Sequence, residues 1–181
     1  MKFNPDRHNR KSIRLKGYNY TNNGLYFITI SINSKLCLLG NIKDGKLELF
    51  ESGIMIQNEW LNLEKRFENT LGNKYSWGVK LHNFIIMPNH FHGIIEIKNN
   101  NSIEAIPCGC PDIIGGFKSI TTNKYIEMVY SGKAETFNKK LWQRNYYEHI
   151  IKNEERYNLI DNYIKTNVHK WNEDKFYYTE I

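Results

Sequence analysis

Ile86-Met87-Pro88-Asn89-His90-Phe91-His92-Gly93-Ile94-Ile95-Glu96 is the stretch on which the reading of this chain turns. The Pro-Asn pair marks a turn and an apolar run follows it, so the second half of the segment reads as a β-strand. Side chains on a strand alternate between faces, which puts His90 and His92 on one face and Phe91 in the opposite layer. Two imidazoles side by side on a rigid strand form a plausible metal platform, because histidine is the commonest protein ligand for a metal. The same spacing also suits a surface histidine beside a turn-capping one, and the pattern alone leaves both open.

Working outward, Trp77–Met87 reads as the strand before that turn and Phe91–Ile97 as the strand after it. Upstream, Leu25–Ile32 is a β-rich alternating run, and Leu36–Lys43 and Lys46–Phe50 flank Asp44-Gly45, a strong short hairpin signal. From Ser52, expected as an N-cap, Ile56, Trp60, Leu63 and Phe67 recur at helical spacing. Downstream, Asn99–Asp112 reads as a polar loop, and Ile113, Phe117, Ile120, Lys124 and Met128 mark a second helix despite Gly115-Gly116. Ser131–Phe137 reads as another loop, and Asn153 is expected to cap a third helix reaching about Asn167. The order of elements predicts an α+β fold, an antiparallel or mixed sheet with helices packed on one face.

A chain of 181 residues without internal repeats is expected to form a single domain with a proper core. We take residues 1–17 as a basic N-terminal arm and 18–181 as that domain. No apolar stretch approaches a membrane span, and the N-terminus lacks a hydrophobic signal core. Cys37, Cys108 and Cys110 are odd in number and suggest no disulfide framework, which points to a reducing cytoplasm. Cys108-Gly109-Cys110 resembles half of a metal site, but no second Cys or His pair accompanies it in sequence. The arm carries Lys2, Arg7, Arg10, Lys11, Arg14 and Lys16 against Asp6, and so holds most of the formal net charge of +6. Such an arm is a handle for a polyanion, most simply nucleic acid, though a solubilising tail looks the same. In a second basic patch, Lys139, Lys140, Arg144 and Lys152 are set among Trp142, Tyr146 and Tyr147, a mixture that suits unstacked single strands.

The third helix carries another candidate cluster. Tyr157, Ile160 and Ile164 form its apolar stripe, and Tyr163 and Asn167, four residues apart, share a face. A phenol and an amide one turn apart would reach the His pair if this helix packs beside the His strand. Asn167 would then offer a neutral oxygen ligand and Tyr163 a nucleophile. Out of that context they read as a core-edge tyrosine and a C-cap.

The run Met87-Pro-Asn-His90-Phe-His92-Gly-Ile-Ile resembles the signature of the HUH single-strand transposases, in particular the REP-associated tyrosine transposases. Other blocks are similar in the same order: Tyr18-Asn-Tyr20 through Tyr26-Phe-Ile-Thr-Ile30, Gly116-Phe-Lys-Ser119, Trp142-Gln-Arg-Asn-Tyr-Tyr-Glu-His149, and Tyr163-Ile-Lys-Thr-Asn167. The resemblance implies a ferredoxin-like domain with its catalytic tyrosine on a C-terminal helix. It implies a divalent metal, magnesium or manganese, held by residues that match His90, His92 and Asn167. It further implies that Tyr163 attacks single-stranded DNA at hairpin-flanked sites, giving a 5′-phosphotyrosine bond and a free 3′-hydroxyl, so that the strand can be rejoined without ATP. Relatives act as monomers or as homodimers that exchange the tyrosine helix. A cytoplasmic, nucleoid-associated location would follow. The chain departs from the pattern at Val168, where many relatives have a helix-ending proline.

Candidate DNA contacts are Arg10, Lys11 and Arg14 in the arm, Lys118 on the second helix, and Trp142, Arg144, Tyr146, Tyr147 and His149 in the aromatic-basic block. Tyr146 and Tyr147 are weaker candidates for the nucleophile, since neither has an amide four residues on. Glu96 shares the His face on an ideal strand but lies far along it, and His82 on the neighbouring strand is open to either face. Two other readings remain at this level: a DNA-binding protein of the same fold without catalysis, and a phosphohydrolase that uses water and has no need of Tyr163.

Overall fold

The computed structural model describes residues 23–69, 77–99 and 109–177. The basic arm, the Tyr18-Asn-Tyr20 block and Cys108 lie outside them. Among the described residues, six strands and three α-helices follow in the order β1 (Gly24–Ser31), β2 (Gly40–Lys43), β3 (Lys46–Leu49), α1 (Glu51–Asn69), β4 (Trp77–Ile86), β5 (His90–Asn99), α2 (Cys110–Tyr130), β6 (Tyr147–Ile151) and α3 (Glu154–Thr166). A 3-10 segment, Asn167–Glu173, continues from α3. The main sheet has the order β4-β5-β1-β6 with all pairs antiparallel. With β2 and β3 set aside as an inserted hairpin, the chain runs βαββαβ with the outer strands in the ferredoxin-like arrangement. That is the expected α+β design.

The hairpin turn is as the sequence demands: Asp44 and Gly45 both have positive φ, 51° and 71°, which matches the right-handed twist of the flanking strands. Asn153 caps α3 as expected, accepting the Arg156 N–H at 2.9 Å. Several expectations need correction. Leu36–Leu39 is not strand; Leu38 and Leu39 are buried, and the Leu39 N–H is satisfied by the Pro88 carbonyl at 2.9 Å. Ser52 lies inside the first turn of α1, and its hydroxyl donates to the Leu38 carbonyl at 2.6 Å. The second helix begins inside the expected loop, at Cys110, where the Asp112 carboxylate accepts the Gly109 N–H. Tyr147–Ile151, read from sequence only as part of a patch, is an edge strand; half exposed, it lacks the apolar alternation that announces a buried one.

Helices also cover both faces of the sheet. On one, Tyr26, Ile28 and Ile30 of β1 and Phe91, Ile95 and Ile97 of β5 meet Ile56, Trp60 and Leu63 of α1 and Ile113 and Phe117 of α2. On the other, Phe27, Ile94 and Ile151 meet Ile160 and Ile164 of α3. The expectation of one helical face holds for α1 and α2, and α3 closes the second. A register shift in β4 between Leu81 and Phe84 serves that closure. At a bulge two successive residues point the same way. His82 bonds the Tyr157 hydroxyl at 3.1 Å, Asn83 bonds Asp161, and both partners are on α3. No helix of the described residues is long and apolar enough to cross a membrane.

Phe91 anchors the first layer: its ring centroid lies 4.4 Å from that of Trp60 and 6.0 Å from that of Phe117. Gly93, next on the same face, leaves the space these rings occupy; a Cβ there would come within 2.6 Å of Phe91 Cζ and 2.8 Å of Trp60 Cζ2. Gly93→Ala is expected to destabilise the fold by about 1–3 kcal/mol through overpacking, read as a lower urea midpoint with an unchanged m-value.

Candidate active site

Strand β5 carries His90 and His92 at its start, on the α3-facing side, where they are 0% and 1% exposed. Their ring centroids are 4.6 Å apart. Each ring is held by a neighbouring oxygen. Asn89 donates from Nδ2 to the carbonyls of Lys35 (3.0 Å) and Phe176 (2.8 Å), so its Oδ1 is the acceptor facing His90 Nδ1 at 2.9 Å. His90 therefore carries its proton on Nδ1 and presents a bare Nε2, which has no hydrogen-bond partner. Thr29, paired with His92 across β1 and β5, places Oγ1 2.8 Å from His92 Nδ1. Phe27 stacks on the His92 ring at 5.4 Å. Metal-ligating histidines characteristically give their second nitrogen to such an oxygen, which fixes the tautomer and aims the other lone pair.

Helix α3 brings Tyr163 over this pair, its hydroxyl hydrogen-bonded to His92 Nε2 at 3.2 Å. Asn167, at the end of α3, is 1% exposed, and neither its Oδ1 nor its Nδ2 has a partner. Leaving such groups unpaired costs about 1–3 kcal/mol apiece, so the pocket is built for something that would satisfy them. The four residues expected from the sequence thus converge on one point. Asp174, which the sequence reading missed, joins them from the segment after α3: its Oδ2 lies 3.9 Å from His90 Nε2, and donor atoms of His90, His92 and Asp174 lie within 4.8 Å of one another. Nothing in its local sequence signals this, because the chain reaches the site only by wrapping back.

A cavity of about 430 Å³ opens beside the cluster; His92, Tyr147, Tyr163 and Asn167 line it, as do the charged pairs Lys170 and Lys175, and Glu173 and Asp174. Tyr147 is 52% exposed and lies opposite Thr29 on β6, with the Lys175 ammonium 5.8 Å from its ring centre. His149 shares its face of the strand. Tyr146 points the other way, to Glu148 at 2.7 Å. Trp142 is a core residue, 4% exposed with its indole N–H on Thr121, so its ring offers no stacking platform. The Lys118 ammonium donates to the carbonyls of Gln143 and Arg144 at 2.7 and 3.0 Å, and burial brings it down to about 8. It clamps the aromatic-basic block onto α2, while Arg144 stays exposed beside it. Glu96 is engaged by His82 at 3.1 Å and Lys98 at 3.2 Å, away from the His pair. Arg10, Lys11 and Arg14 lie outside the described residues.

The model of the IS200-like transposases matches residues 56–167, a span that includes His90, His92, Tyr163 and Asn167. The chain belongs to the IS200-like transposase family. An uncharacterised Haemophilus influenzae protein is 36% identical over 192 aligned positions, covering 97% of both chains. Among solved structures, a REP-associated tyrosine transposase bound to a REP hairpin superposes with a TM-score of 0.51 at 16% identity, over 89% of this chain and 74% of that one. At that identity the likeness concerns the fold.

Burial, reinforced by the Lys175 charge, holds His92 at about 3; burial, His92 and Lys175 hold His90 well below its ordinary value. Both are neutral at physiological pH, the state in which a nitrogen can ligate. The unfolded chain takes up protons below pH 6.5 that the folded chain refuses, so acid favours unfolding. In EDTA, stability is expected to fall from pH 6.5 to 5 by on the order of 1 kcal/mol per pH unit for each histidine. Thermal melts check this, and His92→Gln should flatten part of the slope.

Proposed function

We propose that this transposase-family protein is a metal-dependent single-stranded DNA endonuclease and strand transferase that uses Tyr163 as its nucleophile. The observation that carries the reading is the Tyr163 hydroxyl 3.2 Å from His92 Nε2, beside buried polar atoms on His90 and Asn167 that have no partner. These atoms fit a divalent ion: His90 Nε2, His92 Nε2 and the Asn167 amide oxygen would hold it, with magnesium or manganese as the expected metals. When bound, such an ion supplies Lewis-acid polarisation of the scissile phosphate.

The residues of the chain do the rest. Tyr163 is held above its ordinary range by burial and by the Asp174 charge, which the nearby Asn167 amide partly offsets without meeting hydrogen-bond geometry. It therefore rests as a phenol and must lose its proton during attack. The same His92 nitrogen serves either the phenol or the ion, so the Tyr163–His92 bond describes the resting site. Oxygen Oη of Tyr163 attacks phosphorus, the P–O3′ bond breaks, and the 3′-oxygen leaves as a hydroxyl once protonated. The product is a 5′-phosphotyrosine, and the reverse attack by another 3′-hydroxyl rejoins the strand. Lys170 and Lys175 line the cavity where the phosphodiester would lie, and the exposed Tyr147 offers a ring for an adjacent base. Arg144 and His149, with Arg10, Lys11 and Arg14 of the arm, remain candidates for contacts with the flanking hairpin. A hairpin substrate is suggested by the REP-hairpin complex of the structural relative. Tyr163 meets the His92 of its own chain, which favours a site assembled within one chain over one completed by an exchanged helix.

With labelled hairpin DNA and Mn²⁺, a heat-stable protein–DNA adduct is expected on a denaturing gel. Tyr163→Phe should abolish it and EDTA should prevent it. Cleavage that persists in Tyr163→Phe would instead indicate water as the nucleophile, and binding without any adduct would indicate a non-catalytic DNA-binding protein.

A further inference from the structure

We infer that Asp174 is an anionic ligand of this metal site, delivered by the segment that follows the tyrosine helix. The inference rests on the metal-dependent reading above. Its two carboxylate oxygens have different surroundings. Oδ1 accepts the Phe176 N–H at 2.7 Å, which fixes the side chain, and Oδ2 is left facing His90 Nε2 at 3.9 Å. Only 5% of the side chain is exposed. The nitrogen it faces is buried and has no hydrogen-bond partner. At 3.9 Å the two atoms are too far apart to share a hydrogen bond, whereas a cation between them would be within reach of both.

Asp174 arrives by a continuous route. Val168 follows Asn167, and the backbone continues from α3 through the 3-10 segment Asn167–Glu173. Trp171 of that segment is buried with its ring stacked 6.0 Å from His90, and Phe176 covers His90 from 4.5 Å. Asn89 ties the segment down by donating to the Phe176 carbonyl, and Lys35 does so through the Lys175 carbonyl at 3.0 Å. Asn89, which orients His90, thus also orients the strap that carries Asp174. Chemically, a carboxylate changes the character of the site. Two imidazoles and an amide are neutral and softer than magnesium or manganese prefers, and one hard anionic oxygen shifts the set toward those ions.

Isothermal titration with Mn²⁺ tests the assignment on the full chain, with Asp174→Asn beside the parent. Asparagine retains an oxygen to accept the Phe176 N–H but replaces the ligating oxygen with an amino group. The expected result is Mn²⁺ binding at least tenfold weaker, since even the partners that only orient metal ligands are worth 10–100-fold, with an unchanged melting temperature in EDTA. Parent-like Mn²⁺ affinity in Asp174→Asn would overturn the inference while leaving the nicking reading intact. A parent that binds no Mn²⁺ would overturn both. Should Asp174→Asn fail to fold, Asp174→Ser, whose hydroxyl can accept the same N–H, gives the same comparison.

Discussion

The period-two alternation of β5 is the constraint on which the rest of this molecule depends. Phe91 faces Trp60 and Phe117, while His90 and His92 face α3. β5 is an interior strand, paired with β4 on one side and β1 on the other. A slip of one residue would bury two imidazoles among aromatic rings and push Phe91 into the polar site. The aromatic cluster therefore sets the register, and the register places the histidines. Packing on one side of the sheet creates chemistry on the other.

The polar cluster on that face is buried. His90, His92, Asn89 and Asn167 are all at most 1% exposed. Asn89 and the ring nitrogens it and Thr29 engage are satisfied, whereas His90 Nε2 and the Asn167 amide are not. Unpaired buried polar atoms are costly, and a fold retains them where they meet a ligand. Burial does a second job: it keeps both imidazoles neutral and ready to donate electron pairs.

The site is held together from both ends of α3. At its start, the β4 bulge turns His82 and Asn83 toward Tyr157 and Asp161, so the helix is fastened by polar contacts as well as by Ile160 and Ile164. At its end, the chain carries on over the His pair and is pinned by Asn89. Tyr163 is held between two such anchorages, with its hydroxyl against His92 Nε2.

The sequence by itself determined β1 to β5 and the three helices, apart from some of their bounds, and which residues of the central cluster share a face. Local rules govern those features: alternation for His90 and His92, helical spacing for Tyr163 and Asn167, Asp44-Gly45 for the hairpin and Asn153 for the cap. Their ordered blocks also carried the family resemblance. Where sequence reading failed, the deciding physics was not local. Tyr147–Ile151 is an edge strand without periodicity, and Trp142 is aromatic on either a surface or a core, so only packing could assign them. Thr29 and Asp174 became visible only in the folded chain. One is a cross-strand neighbour 63 positions from His92, and the other is brought back by a strap whose path depends on the Asn89 amide. Tertiary structure decided which polar groups meet, because that depends on register, on a bulge and on the trajectory of a chain after its helix ends.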